Sequence, residues 1–412
     1  MNLVTHIALI SLSTPTFNNV RAASALPFHL IKGAKESGNY SFEVWSYNIN
    51  DIDDAGIRET EKAIGAKIHI LQRPSWMKLI LRLHLSALRA FLHYPFLAYC
   101  QLSKGDVNDI KDSQPDIIWI YGEELAGLAR LFPKSRRIVT MPDSEAMYYH
   151  RVLAINFMTR TALQKIRYSF GYRQYRTMER ELWTKEVTYH FVGEADAAFY
   201  RGENPTAKAL FLRHPHYAYK QRNIAFHHPR IRLLFAGRCD IYSAHASASL
   251  IDAMVTHSQE LRDRYVVTFL GAGWEHLCEN MTKAGWKAHI VLFAPDYITE
   301  LQQHDIQINA IDVGTGTKGK VLDAIVNGLL VIGTPLALEN IAVKDGESCI
   351  IYRHPDEAID ILRKIPSSAN IYERMASQGR DNVLLFHSPS QIAQELFGDT
   401  ANNLSSVDYT TD

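Results

Sequence analysis

Residues 311–334 read IDVGTGTKGKVLDAIVNGLLVIGT. A predicted strand ends at Ile311, a glycine-rich turn covers residues 314–318, a helix is predicted from about residue 319, and another strand follows Gly328. Glycines let a backbone approach a phosphate closely, and the first turn of a helix offers free N–H groups and the positive end of its dipole. The stretch therefore predicts a strand–turn–helix unit of an α/β fold, whose turn either binds phosphate or is an ordinary connection with a solvated lysine.

Apolar runs alternate with helical stretches along the rest of the chain. The predicted strands cover residues 6–11, 41–47, 67–71, 116–121, 136–141, 187–192, 231–237, 265–270, 288–293, 306–311, 329–334 and 348–352. Short apolar runs separated by helices indicate parallel strands joined by crossover helices. The polar stretch at residues 217–229 has weak periodicity and is the predicted linker. We therefore expect two Rossmann-like domains, residues 1–218 and 230–390, and a C-terminal tail, residues 391–412.

The length and the charge distribution agree with two domains. A chain of 412 residues exceeds what one hydrophobic core usually supports. Lys+Arg and Asp+Glu each total 44, and this balance argues against a dedicated nucleic-acid-binding protein. Residues 1–229 hold 29 basic and 21 acidic residues, whereas residues 230–412 hold 15 and 23. The two halves carry opposite net charge, which indicates different partners.

The cysteines and the apolar runs bear on the cellular compartment. Four cysteines at positions 100, 239, 278 and 349 form no C-x-x-C pair and are predicted to be free thiols. The apolar stretch at residues 6–12 is too short for a signal peptide, and no apolar run reaches the roughly 18 residues of a membrane span. We therefore expect a cytoplasmic protein. No histidine, cysteine or carboxylate grouping has metal-ligand spacing, so no metal is expected.

Residues 314–341, GTGTKGKVLDAIVNGLLVIGTPLALENI, resemble the donor-site signature of the GT-B glycosyltransferases, particularly the family-4 (group 1) bacterial sugar transferases. Four further pieces resemble the family in the same order: QPDIIWIYG (114–122), MERELWTKEVTYHFVGEADAAFYR (178–201), FAGR (235–238) and FLGAG (269–273). The resemblance implies an α/β, GT-B fold with two Rossmann-like domains facing across a central cleft. The N-terminal domain would bind the acceptor and the C-terminal domain the nucleotide sugar.

The resemblance also implies an activity. The protein would move a sugar from a UDP- or GDP-sugar to a saccharide or lipid-linked acceptor in the biosynthesis of a cell-surface polysaccharide or glycan. It would retain the anomeric configuration and need no metal or other cofactor. Three rivals remain open: an inverting transferase, a nucleotide-sugar epimerase and a non-catalytic subunit that binds sugar nucleotides. The product's anomeric configuration, turnover without acceptor, and binding without transfer distinguish these rivals.

The resemblance assigns functions to individual residues of this sequence. The implied donor-binding residues are Gly237, Arg238, Phe293, Gly314, Thr315, Gly316, Thr317, Lys318, Asp323 and Glu339. Arg238 and Lys318 would bind the diphosphate and stabilise it as the leaving group, since fixed cations stabilise developing negative charge. Asp323 would hold the ribose, and the loop that contains Phe293 would hold the nucleobase.

Two positions depart from the family pattern. Thr315 stands where the family commonly has a glutamate that contacts the sugar, so sugar recognition differs or receives help from Glu339 or Asn340. The lysine that often follows the Gly-Arg pair is absent, because the sequence after Arg238 reads CDIYSAHAS. Either the diphosphate is held more weakly or Lys320 assists.

The N-terminal half offers candidate catalytic and acceptor-binding residues. Asp143 follows the strand at residues 136–141, where a carboxylate is placed to act as general base of an inverting transferase. Alternatively, the pair Asp143–Ser144 caps the next helix. His150 is a candidate for substrate contact or a packed histidine. Ser13 and Thr14 offer hydroxyls for the acceptor or belong to a plain loop.

Residues 73–104 hold five basic residues, no acidic residue and many aromatic and aliphatic ones. A basic, aromatic, amphipathic helix lies readily on an anionic bilayer, and the alternative is a core-packed helix with a solvated basic face. We expect this segment to contact the inner face of the membrane peripherally, which would suit a lipid-linked acceptor.

Overall fold

The computed structural model describes residues 4–17, 22–83, 86–155 and 161–398. The chain divides into two compact units, one formed by residues 1–215 with 389–412 and the other by residues 216–388. The part of the expected tail beyond residue 398, and residues 84–85 of the basic segment, lie outside the described residues. No helix in the described ranges is long and apolar enough to cross a membrane.

The first unit contains a seven-stranded parallel sheet in the order β3-β2-β1-β4-β5-β6-β7. Its strands are β1 (Thr5–Ser11), β2 (Tyr40–Ser46), β3 (Lys67–Ile70), β4 (Ile117–Tyr121), β5 (Arg136–Thr140), β6 (Val187–Phe191) and β7 (Lys208–Phe211). Its helices are α1 (Ala22–Glu36), α2 (Asp54–Ile64), α3 (Ser75–Arg82), α4 (Lys104–Asp112), α5 (Glu145–Ala154), α6 (Ala162–Glu181) and α7 (Glu194–Glu203). Short 3-10 helices cover Ser86–Phe91, Phe96–Tyr99 and Glu123–Leu131.

The second unit contains a six-stranded parallel sheet in the order β10-β9-β8-β11-β12-β13. Its strands are β8 (Ile231–Ala236), β9 (Tyr265–Leu270), β10 (Lys287–Val291), β11 (Ile306–Asn309), β12 (Leu330–Gly333) and β13 (Ile350–Ile351). Its helices are α8 (Ala244–Thr256), α9 (Ser258–Leu261), α10 (Glu275–Lys283), α11 (Tyr297–Leu301), α12 (Gly319–Val326), α13 (Pro335–Leu338), α14 (Pro355–Lys364) and α15 (Ala369–Phe386). A 3-10 turn, Ile365–Ser367, joins α14 to α15.

The apolar runs of the sequence form the centres of both sheets. Every residue of β4 and of β11 is buried, as expected for parallel strands with helices on both faces. In each sheet the order in which successive strands are added reverses near the middle, between β1 and β4 in the first unit and between β8 and β11 in the second. Ligands of such sheets bind at the carboxyl ends of the strands beside this switch point.

All the predicted strands are present within two residues of their predicted ends. The sequence patterns did not reveal β7, which has four residues at the edge of its sheet and is only partly buried. A strand of this kind lacks the continuous apolar run by which buried strands are recognised.

Residues 217–229, the expected linker, belong to the second unit and pack on it. Arg222 Nη1 donates to the carbonyl oxygens of Gln302 and His304 at 3.1 and 2.8 Å. His227 Nδ1 lies 2.7 Å from Oδ1 of the buried Asp305. The backbone of this polar stretch is therefore fixed by hydrogen bonds that its sequence periodicity does not reveal.

The start of the expected tail forms helix α16 (Pro389–Phe397), which returns to the first unit. The buried Phe397 ring lies 5.0 Å from that of Trp119 and 5.7 Å from that of Phe42. Arg136 Nη1 donates to the Phe397 carbonyl oxygen at 2.7 Å. Helix α16 thus completes the core of the first unit rather than forming a tail.

Candidate functional site

The glycine-rich turn leads from β11 into α12 and is held together by side chains. Lys318 Nζ donates to the carbonyl oxygens of Thr315 and Gly316 at 2.9 and 3.0 Å, and Asn340 Nδ2 donates to the same Gly316 oxygen at 3.1 Å. Gly316 has a φ of +57°, a conformation that favours glycine. A Cβ at Gly314 would lie 3.0 Å from Lys318 Cε, so the glycine leaves room for the lysine to fold across the turn.

A pocket of about 310 Å³ lies beside this turn, at the switch point of the second sheet. Its wall includes the end of β8, the end of β11 and the first turn of α12. Gly237, Arg238 and Lys318, three of the expected donor-binding residues, all line it. The structure thus brings together residues that lie some eighty positions apart in the sequence.

Both the backbone conformation at residue 237 and the close approach of its neighbours require a glycine there. Its φ of +114° is strained for any residue with a side chain, and an added Cβ would lie 3.3 Å from Lys320 Nζ. Its carbonyl oxygen accepts a 2.7 Å hydrogen bond from Trp274 Nε1. The turn after β8 is therefore fixed, and Arg238, whose side chain is exposed, projects from a defined backbone.

Asp323 lies on the second turn of α12. Its side chain is buried, and it is not one of the residues that line the pocket. Burial raises the pKa of its carboxyl to about 7, and the nearby Lys320 opposes this effect. Its charge also acts on Tyr217 and Tyr297, and burial raises the pKa of both phenols well above the usual value. The Asp323 carboxyl makes no hydrogen bond to the residues that the structure describes. Its expected function in holding the ribose stays a prediction.

The remaining expected donor residues do not line the pocket. Thr315 and Thr317 are partly buried on the turn itself, and Glu339 is partly buried directly after α13. Phe293 lies on the loop after β10, with 78% of its surface exposed. Their roles toward a sugar or a nucleobase stay predictions.

In the first unit, Asp143 lies partly buried between β5 and α5. Its neighbour Ser144 is the N-cap of α5, since Ser144 Oγ accepts a 3.1 Å hydrogen bond from the Met147 amide. The capping function that the sequence assigned to this pair therefore belongs to Ser144. Asp143 stays a candidate base at the carboxyl end of its strand.

A buried cluster of carboxyl groups lies next to Ser144 and was missed at the level of sequence. Glu179 Oε1 accepts from Ser144 Oγ at 2.9 Å and from the Ala146 amide at 3.2 Å, and Asp196 Oδ1 accepts from the Ser144 amide at 2.8 Å. Glu123 is buried, and neither of its carboxylate oxygens has a hydrogen-bond partner in the described ranges. The motif at residues 178–201 contained Glu179 and Asp196, and the motif at residues 114–122 ended one residue before Glu123, but nothing in them showed that these side chains meet.

Burial and mutual repulsion control the protonation of this carboxyl cluster. Burial raises the pKa of Glu179 to about 7, although its hydrogen bonds from Ser144 and Ala146 act in the opposite direction. Burial and the charge of Asp143 raise the pKa of Glu145 to about 8, and burial and the charge of Glu179 hold the pKa of Glu123 well above its usual range. Part of the cluster is therefore protonated at neutral pH.

The candidate acceptor residues lie in different surroundings. His150 is exposed on α5, and its ring lies 5.9 Å from that of Tyr172 and 6.0 Å from that of Phe199. The buried Thr14 Oγ1 donates to Asn48 Oδ1 at 3.0 Å and lies 3.0 Å from Ser46 Oγ, so these contacts use its hydroxyl. Ser13 is buried in the same loop. His150 is thus more accessible to an acceptor than either hydroxyl residue.

Within the described residues, no three histidine, cysteine, aspartate or glutamate side chains are arranged to hold a metal ion. Among these residues, neither the carboxyl cluster nor the adjacent His227 and His228 forms such a group.

Comparisons with known proteins extend the geometric findings. Residues 249–398 match the family model described as glycosyl transferase-like. Sucrose-phosphate synthase from Thermosynechococcus elongatus has a similar structure, with a TM-score of 0.65 and 10% identity over 97% of this chain and 99% of that chain. Anabaena HepE in complex with UDP-glucose gives a TM-score of 0.61 and 12% identity over 98% and 100% of the two chains.

A third similar structure is WaaG, a glycosyltransferase involved in lipopolysaccharide biosynthesis. Its TM-score is 0.57, with 14% identity over 95% of this chain and 100% of that chain. No curated protein sequence matches the chain. The similarity to solved structures confirms the expected α/β, GT-B fold with its two Rossmann-like domains. The family match over residues 249–398 agrees with the activity that the sequence resemblance implied, that of a glycosyltransferase similar to the group 1 sugar transferases.

Proposed function

We propose that this protein transfers a sugar from a nucleoside diphosphate sugar to a hydroxyl group of a saccharide or lipid-linked acceptor. The pocket at the switch point of the second sheet carries the proposal, because Gly237, Arg238 and Lys318 line it together. Arg238 supplies an exposed guanidinium for the diphosphate, and the first turn of α12 supplies free amides. Asp323 lies further along the same helix, where its carboxyl would accept ribose hydroxyls.

The proposal extends to the course of the reaction. The donor is a UDP- or GDP-sugar, the anomeric configuration is retained, and the cations of the pocket stabilise the leaving diphosphate without a metal. The acceptor is bound by the first unit near Asp143 and His150, and the product enters a cell-surface polysaccharide or glycan. We further place the protein in the cytoplasm, at the inner face of the membrane.

Exposed apolar side chains in the first unit support the membrane contact. Leu79 and Leu83, on and directly after α3, are 55% and 53% exposed, and Phe91 is 83% exposed. Arg82 is exposed beside them, and Arg89 lies over the Phe96 ring at 4.5 Å. Apolar side chains flanked by basic ones match the interface of an anionic bilayer. This surface, residues 73–104, would bring the acceptor unit to a lipid-linked substrate.

The experiment that tests the donor site measures thermal stability of the full chain with UDP, GDP, UMP and the corresponding nucleotide sugars. A ligand that binds the native state raises the melting temperature. We expect one diphosphate series to stabilise the protein, and a Gly314→Val variant, which fills the turn, to lose the response. The absence of any shift with wild-type protein would refute the donor site.

Product analysis then separates transfer from its rivals. Incubation of the stabilising nucleotide sugar with lipid-linked and free saccharide acceptors is expected to give a product whose anomeric proton, observed by NMR, matches the donor configuration. An inverted product would instead indicate Asp143 as a general base. Conversion of the donor without acceptor would indicate an epimerase, and binding without any product would indicate a non-catalytic subunit.

A further inference from the structure

The pocket beside the glycine-rich turn contains a second lysine, which the sequence offered only as an alternative ligand of the diphosphate. Lys320 follows Lys318 by two residues, lies in the first turn of α12 and lines the pocket. Its Nζ lies next to Gly237, since an added Cβ there would approach it to 3.3 Å. The Lys320 ammonium therefore lies beside the backbone from which Arg238 projects.

The two lysines of the turn differ in their contacts. Lys318 Nζ is held at 2.9 and 3.0 Å by the carbonyl oxygens of Thr315 and Gly316. Lys320 Nζ makes no hydrogen bond or ion pair with any residue in the described part of the chain, and its side chain is exposed to the pocket. Asp240 and Asp323 act on Lys320 electrostatically but form no salt bridge with it there. Of the two lysines, Lys320 is therefore the one whose ammonium group can bind a ligand without first breaking a hydrogen bond to the described residues.

Two neutral donors in the same pocket also lack partners. Ser247 Oγ and Asn309 Nδ2 are buried, with 1% and 6% of each residue's surface exposed. Neither atom has a hydrogen-bond partner among the described residues, and both residues line the pocket. Buried polar groups in native proteins are nearly always hydrogen-bonded, so such groups require an explanation. A ligand with several acceptor oxygens would satisfy both donors and Lys320 at once.

The size of the pocket limits that ligand. Its volume of about 310 Å³ is at the lower end of the range for small-molecule sites, so it accommodates a part of a nucleotide sugar rather than the whole. A phosphate group offers oxygens in several directions and carries the charge that complements an ammonium. The loop after Arg238 contributes Asp240, Tyr242 and Ser243 to the wall, so the lysines of the wall, Lys318 and Lys320, both come from the start of α12.

We propose that Lys320, together with Ser247 Oγ and Asn309 Nδ2, binds a phosphate group of the donor diphosphate, so that the second cation of the site comes from α12. This inference rests on the proposed function and specifies which residues serve it. Lys318 then has mainly a structural function, since it holds the glycine-rich turn in the conformation that opens the pocket.

The test measures by calorimetry the Kd of wild-type protein and variants for UDP, GDP and the parent nucleosides. Lys320→Gln is expected to weaken binding of the diphosphate at least tenfold and to leave nucleoside binding unchanged, and Lys320→Arg is expected to restore part of the loss. Ser247→Ala and Asn309→Leu are each expected to weaken diphosphate binding severalfold. Lys283→Gln is the matched control, since Lys283 is an exposed lysine of the same unit that pairs with Glu279.

Each result has a separate meaning. Unchanged diphosphate binding in Lys320→Gln, or an equal loss for diphosphate and nucleoside, overturns the inference while the proposed donor site stands. Failure of wild-type protein to bind either diphosphate overturns the proposed function itself. Lys320→Met repeats the measurement with a second neutral side chain, and circular dichroism checks that each variant is folded.

Discussion

Ser144 Oγ donates a 2.9 Å hydrogen bond to Glu179 Oε1, and this contact joins the start of α5 to the middle of the buried carboxyl cluster. The same serine caps α5 through the Met147 amide. Asp143, one residue before Ser144, is therefore attached directly to a residue that is hydrogen-bonded to the buried carboxyl cluster.

The first prediction concerns pH and stability. Burial raises the pKa of Glu179 from 4.5 to about 7, so the folded state favours the protonated carboxyl. The protonated Glu179 carboxyl makes its full contribution to stability below pH 4.5, its pKa in the unfolded chain. This contribution is lost as the pH rises through 7, its pKa in the folded protein. We expect Glu179→Gln, which keeps an oxygen acceptor for Ser144, to raise the unfolding free energy of the first unit at pH 8 by about 2 kcal/mol and to change it little at pH 4.

Urea unfolding between pH 4 and pH 8, followed by fluorescence, measures this difference. Glu181→Gln is the control, because Glu181 is exposed on the same helix and its carboxylate is hydrogen-bonded only to Tyr94 and His93 among the described residues. A stabilisation by Glu179→Gln that is independent of pH would contradict the assignment.

The second prediction concerns the pH dependence of donor binding. The pKa of Asp323 is about 7, and its ionised form accepts ribose hydroxyls more strongly than its neutral form. Affinity for the nucleoside diphosphate is therefore expected to increase as the pH rises from 6 to 8. Asp323→Asn should remove most of this increase and weaken binding at pH 8 by about tenfold, or about 1.4 kcal/mol. Calorimetric titrations at three pH values test it, and a variant that retains the wild-type pH profile would refute the ribose assignment.

The third prediction separates binding from folding at Arg238. Its side chain is exposed and lines the pocket, so its removal should leave the melting temperature of the ligand-free protein unchanged. Loss of a charge-assisted contact to the diphosphate is expected to cost about 1.5–3 kcal/mol of binding free energy in Arg238→Ala. Arg374→Ala, at an exposed arginine of α15, should leave donor affinity unchanged. Wild-type affinity in Arg238→Ala would exclude its function as a diphosphate ligand.

The fourth prediction tests the membrane contact. Co-sedimentation with phosphatidylglycerol vesicles should decrease several-fold in a Leu79→Ser, Leu83→Ser, Phe91→Ser variant, since all three side chains are largely exposed. Ile371→Ser in the second unit removes an equally exposed side chain and serves as the control. Binding that persists in the triple variant, or that is as strong with phosphatidylcholine, would count against this surface.

The fifth prediction addresses α16. Phe397 is buried against Trp119 and Phe42, and truncation of a buried phenylalanine typically costs about 3–5 kcal/mol. We expect Phe397→Ala to lower the stability of the first unit by that amount, as measured by urea unfolding. Nucleotide binding by the second unit, measured by calorimetry, should be unaffected. An unchanged first unit would show that α16 is dispensable for its core.

The sequence patterns predicted the α/β fold well because parallel strands buried on both faces leave continuous apolar runs, as in β4 and β11. They also located the glycine-rich turn, whose glycines fall where the backbone and Lys318 require them. They could not predict the division of the chain, since the packing of residues 217–229 and of α16 depends on partners distant in sequence.

The candidate site residues could be predicted from the sequence less completely than the fold. Lys318 was identified from its motif, but its hydrogen bonds to its own turn follow from the backbone conformation and have no sequence signature. The meeting of Glu123, Glu179 and Asp196 around Ser144 likewise requires four separate elements to converge. Motifs that bind a ligand through local backbone are therefore visible in the sequence, whereas clusters assembled from distant segments are not.

The return of α16 to the first unit has a consequence for the order of events during synthesis. Residues 216–388 emerge from the ribosome between the two parts of the first unit. The second unit therefore has its complete sequence available and can fold while the space beside Trp119 still awaits Phe397. The unit that emerges first is thus completed last, because its core acquires Phe397 only after the whole second unit has been synthesised.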